Sequence, residues 1–105
     1  MKPDTSPLRI VLHAPTAAAL TRARNNANHI AADDPAAEVC IVVNSDAVAA
    51  VLDAPDAILD RRTLVCPNTL GRMGRDAPPP LVVLAQGAAL SLALMQREGW
   101  CYVRA

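Results

Sequence analysis

Residues 38–44, Glu38-Val39-Cys40-Ile41-Val42-Val43-Asn44, decide the fold. The apolar run from Val39 to Val43 is too short for a helix, and it does not alternate with polar residues as a half-exposed strand does. Such a run reads as a strand buried on both faces, the pattern of a parallel sheet with helices laid over it.

On the N-terminal side, Leu8-Arg9-Ile10-Val11-Leu12-His13 predicts a strand that Ala14-Pro15-Thr16 breaks. A helix is expected from Ala17 to Ala32, with Leu20, Ala23, Ala27, Ile30 and Ala31 on its buried face. Thr21, Arg22, Asn25, Asn28 and His29 point away, Asn26 lies at the edge of the apolar stripe, and Pro35 prevents continuation.

On the C-terminal side, Ser45 is expected to cap a short helix through about Leu52. Asp53, Pro55, Asp56 and Asp60-Arg61-Arg62 then mark a polar, weakly helical connection. Thr63-Leu64-Val65-Cys66 predicts a third strand, with Pro67 in the first helical position and Cys66 as N-cap. Gly71 and Gly74 limit that helix to one or two turns, and Asp76 to Pro80 reads as a stiff loop. Leu81 to Ala85 is expected to be a fourth strand, Gly87 to about Glu98 a helix burying Leu90, Ala93 and Leu94, and Trp100 to Val103 a fifth strand. This alternation specifies one three-layer α/β/α domain over residues 1–105, with a mostly parallel five-stranded sheet and right-handed crossovers. Residues 1–7, with two prolines and an acid, are expected to form a flexible N-terminus.

The interior must be built from Ala, Val and Leu, because Trp100 and Tyr102 are the only aromatic residues. Ten basic and ten acidic side chains cancel and are interspersed, so no net field attracts nucleic acid or an anionic membrane. No segment has the length of a transmembrane span or the form of a signal peptide. The expectation is a soluble, cytoplasmic protein with neither nucleic-acid nor membrane partners. The cysteines at 40, 66 and 101 lack zinc or disulfide spacing, and His13 and His29 sit on different elements, so free thiols and no metal are expected. Nor does Gly71-Arg72-Met73-Gly74-Arg75 have phosphate-loop spacing; it reads as a surface turn.

Ligands of open α/β sheets bind at the carboxyl ends of the strands. That rule selects His13, Asn44, Cys66 and Gln86-Gly87, one strand end each. Cys66 is chemically the most informative, since the unpaired amides of a helix's first turn favour a thiolate placed there. The alternative is a small apolar filler at a strand end. Cys40, between Val39 and Ile41, is assigned to the core, and Cys101, facing away from both aromatics, to core or interface. The Asn25-Asn26-Ala27-Asn28 stretch is unfavourable within a helix and suggests a specific hydrogen-bonding task, toward a subunit or a ligand.

Several segments together resemble the DsrE/DsrF-like family of short α/β domains associated with intracellular sulfur transfer. They are the opening strand with His13, Arg22-Ala23-Arg24-Asn25-Asn26-Ala27-Asn28, Val42-Val43-Asn44, Cys66-Pro67-Asn68-Thr69-Leu70, Gln86-Gly87 and Gln96-Arg97-Glu98-Gly99-Trp100-Cys101-Tyr102-Val103. The resemblance implies a persulfide on Cys66, a pocket drawn from His13, Asn26, Asn44, Asn68, Thr69, Gln86 and Gly87, no cofactor, a homo-oligomer, and a protein that donates or accepts sulfur. The segment from Val51 to Arg62 looks shorter than the family's usual helix there. A non-catalytic, oligomeric ligand-binding or regulatory module with a structural Cys66 is the competing expectation.

Overall fold

The computed structural model describes residues 5–105. Its elements are β1 (Arg9–Ala14), α1 (Ala17–Asp33), β2 (Glu38–Val43), α2 (Asp46–Asp53), a 3-10 turn (Leu59–Arg62), β3 (Thr63–Val65), α3 (Pro67–Met73), β4 (Val82–Val83), α4 (Ala88–Arg97) and β5 (Cys101–Arg104). They form an α/β fold whose five-stranded sheet has the order β4-β3-β2-β1-β5 and is parallel throughout. Of the expected flexible terminus, residues 1–4 lie outside the described residues, and Thr5, Ser6 and Pro7 are exposed ahead of β1.

Connection chirality distributes the helices. From β1 to β4 the chain steps in one direction, so right-handed crossovers lay α1, α2 and α3 on one face; the return from β4 to β5 puts α4 on the other. Two apolar clusters match this division. Leu12, Ala14, Val39, Ile41, Val43 and Val65 pack with Leu20, Ala23 and Ala27 of α1, Ala47, Val48 and Val51 of α2, and Leu70 of α3. Val11, Cys40, Val42 and Cys66 pack under Ala88 and Leu92 of α4. β2, central in the sheet, is buried from Val39 to Val43 as its apolar run required.

The terminal turns follow from local chemistry. Thr16 caps α1 by accepting a hydrogen bond from the Ala19 amide at 3.0 Å. Gly74 ends α3 in the left-handed region at φ +65° with open space around it. A side chain there meets no neighbour but strains the backbone, so Gly74→Ala is expected to lower stability by about 1–2 kcal/mol in urea unfolding.

Five expectations are corrected. Ser45 does not cap α2 with its side chain; it takes φ +50°, and its amide instead donates to Thr69 Oγ1 at 3.2 Å. The fourth strand shrinks from 81–85 to Val82–Val83, because it is an edge whose neighbour β3 spans only Thr63–Val65. In α1, Ile30 is half-buried against the core cluster and Ala31 is exposed, because Ala31 borders an open pocket lined also by Val39, Ile41 and Ile58. In α4 the buried positions are Ala88, Ser91 and Leu92, while Leu90 is 54% exposed and Ala93 faces outward. Apolar residues encircle that helix, so periodicity could not choose its inner face. Cys101, assigned to core or interface, is exposed on this chain and so is not in the core, because β5 is the other edge.

The connection from Asp53 to Arg62 is more ordered than its polarity suggested. Asp56 Oδ1 accepts the amides of Ile58 and Leu59, and the buried Asp60 carboxylate accepts the Asp56 amide at 3.0 Å. Arg24 of α1 pairs with Asp60 at 3.4 Å, tying this turn to the first helical layer. A buried carboxylate held by a cation and a backbone amide keeps this short polar segment ordered.

Candidate functional site

At adjacent strand ends the chain departs to opposite faces, β3 into α3 and β4 into α4. Such a reversal opens a crevice between the two strand ends. Here it is a cleft of about 840 Å³ whose lining includes Asn44, Ser45, Cys66, Asn68, Thr69, Arg72 and Gly87. Cys66, 5% exposed, forms its floor.

Each part has a local cause. Cys66 extends the ladder by one bond, its amide donating to the Val43 carbonyl at 3.0 Å, and then becomes the N-cap of α3 before Pro67. Gly87 is the N-cap of α4, and the next amide, Ala88, donates to Cys66 Sγ at 3.4 Å. Two helix starts therefore converge on one sulfur. Gly87 also permits close approach: a Cβ there would lie 2.6 Å from the Asn68 carboxamide nitrogen.

Burial by itself pushes the Cys66 thiol up, because a buried thiolate loses its hydration. The Thr69 and Ala88 amides, the Thr69 hydroxyl and the Asn68 amide more than offset that, holding the thiol below its ordinary value. Cys40 has no comparable donors. Its burial drives the thiol up to about 12, only slightly relieved by the charge of Arg62. The two cysteines lie on the same face of the sheet, yet donors hold one thiol below its ordinary value and burial holds the other above it.

Of the residues selected from sequence, Asn44, Asn68, Thr69 and Gly87 gather around Cys66. His13 stands one hydrogen bond behind them, its Nε2 2.9 Å from Asn44 Oδ1. Asn26 is exposed on α1, and Gln86 is exposed beside the cleft with its carbonyl accepting the Ser91 hydroxyl; neither lines it. Arg72 was assigned to a surface turn but lines the cleft, and among the described lining residues it carries the one formal charge. Its signal was the four-residue spacing from Asn68, which puts both on one side of α3. Tyr102, with its hydroxyl 2.6 Å from His13 Nδ1, had no sequence signal, because its approach depends on β5 pairing with β1.

Among the described residues, no three His, Cys, Asp or Glu side chains cluster as metal ligands, and no helix is long and apolar enough to cross a membrane. No protein-family model matches the chain, and no curated protein matches it.

Proposed function

We propose that this protein handles sulfur as a persulfide on Cys66, in the manner of the DsrE/DsrF-like domains its sequence resembles. The observation that carries the reading is the convergence of the Asn68, Thr69 and Ala88 donors on a thiol at the floor of an open cleft. Such a thiolate attacks the sulfane sulfur of a donor R–S–S⁻. The donor's S–S bond breaks, its electron pair leaves on R–S⁻, and Cys66 becomes Cys66–S–S⁻. An acceptor thiolate then attacks the outer sulfur, carries it away as a persulfide, and restores the Cys66 thiolate. Charge and electrons balance without an added oxidant.

Arg72 supports an anionic donor, since its guanidinium meets the charge of R–S–S⁻ or of inorganic thiosulfate at the cleft wall. Leu90 and Ala93, turned outward on α4, support the accompanying proposal of a homo-oligomer.

Wild-type protein incubated with thiosulfate or inorganic polysulfide should gain the mass of whole sulfur atoms by intact mass spectrometry. Excess small thiol should remove it, and Cys66→Ser should gain none. An unchanged wild-type mass, or equal gain on Cys66→Ser, favours the module in which Cys66 only packs and the cleft binds a small anion.

A further inference from the structure

His13 lies between two partners whose hydrogen-bonding capacities differ. Asn44 Oδ1, 2.9 Å from Nε2, is a carbonyl oxygen and can only accept, so Nε2 carries a hydrogen. In the neutral ring Nδ1 is then a lone pair, and the Tyr102 hydroxyl at 2.6 Å donates to it. The chain of bonds runs one way, from Tyr102 through His13 to Asn44. With Oδ1 engaged, the free end of the Asn44 carboxamide is its NH₂ group, which makes no hydrogen bond to another described residue.

The sheet register places that group. Val43 pairs with Val65, so Asn44 and Cys66 are the next positions on adjacent parallel strands, on the face that also carries Val42 and Leu64. Strand ends so related are about 4.8 Å apart, and Asn44 lines the cleft beside Cys66. On sulfur transfer, negative charge moves from Cys66 Sγ, already served by α3 and α4 amides, to a second sulfur farther into the cleft.

We propose that Tyr102 and His13 are positioning residues that turn the Asn44 carboxamide so that its NH₂ donates to the outer sulfur of the Cys66 persulfide. This inference rests on the persulfide reading above. In Tyr102→Phe, Nδ1 loses its donor, the neutral ring can take the other tautomer, and Asn44 can reverse, presenting a carbonyl oxygen to an anionic sulfur.

The test compares single-turnover sulfur loading from thiosulfate in wild type and Tyr102→Phe at neutral pH, together with iodoacetamide alkylation of Cys66 and ring ¹⁵N spectra of His13. Loading by the variant should slow about three- to tenfold at neutral pH, the rate equivalent of one hydrogen bond. The alkylation rate should be unchanged, because the donors to Sγ are intact. The spectra should show the Nε2–H tautomer in wild type and a mixture in the variant. No loading defect, a loading defect matched by an equal change in alkylation, or an Nδ1–H tautomer in wild type overturns the proposal. Failure of wild type to take up sulfur sinks the persulfide reading instead, while the tautomer result still decides whether the chain of bonds exists.

Discussion

Stability is expected to fall by about 2–3 kcal/mol between pH 9 and pH 11 through Cys40 alone, at roughly 1.4 kcal/mol per pH unit. The folded protein holds this thiol protonated up to about 12 against an ordinary value of 9.0, mainly because a thiolate at that buried position would be desolvated. Below the ordinary value both states keep the proton and the residue contributes no pH dependence. Above it the unfolded chain releases the proton and the folded chain does not, so rising pH favours unfolding until the folded thiol titrates. Cys66 has the opposite sign. Its lowered value stabilises the fold above the unfolded thiol's titration, and that contribution is lost as pH falls through the folded one. Cys40→Val keeps a comparable volume in a strand buried on both faces and removes the titration. Urea unfolding at successive alkaline pH values should show wild-type stability falling relative to that of Cys40→Val; parallel curves would contradict the assignment.

Thr69→Val should slow iodoacetamide alkylation of Cys66 about tenfold near neutral pH, the rate equivalent of a hydrogen bond to a charged sulfur. The Thr69 hydroxyl serves two groups at once: it donates to Cys66 and accepts the Ser45 amide at 3.2 Å. Valine preserves the shape and deletes both bonds. Loss of the donor raises the thiol toward its ordinary value, so less thiolate is present at neutral pH, and the difference from wild type should vanish in alkali where both are ionised. Loss of the acceptor leaves an amide unpartnered at a residue with φ +50°, lowering stability by about 1–3 kcal/mol. Thr69→Ser retains the hydroxyl and should behave as wild type in both measurements. Equal alkylation rates for all three proteins would remove Thr69 from the site.

The unbroken run Val39 to Val43, the Pro67 after Cys66 and the regular alternation of elements determined the parallel α/β sheet, the N-cap position of Cys66 and the inert character of Cys40. These properties are local: burial on both faces and a proline's fixed φ are written in consecutive residues. Cys66 itself was selected by the strand-end rule, and Asn44, Thr69 and Gly87 gather around it in the cleft. The inner face of α4, the Asp60–Arg24 pair and the approach of Tyr102 to His13 were decided by the tertiary structure. Each depends on which strand lies beside which. α4 is apolar nearly all round, so the sheet it covers chooses its buried side. Tyr102 and His13 lie 89 residues apart and meet because β5 pairs with β1 rather than with β4. The lowered thiol of Cys66 combines both origins, since Pro67 announces the α3 amides locally whereas the Ala88 amide arrives only when the chain reverses direction across the sheet.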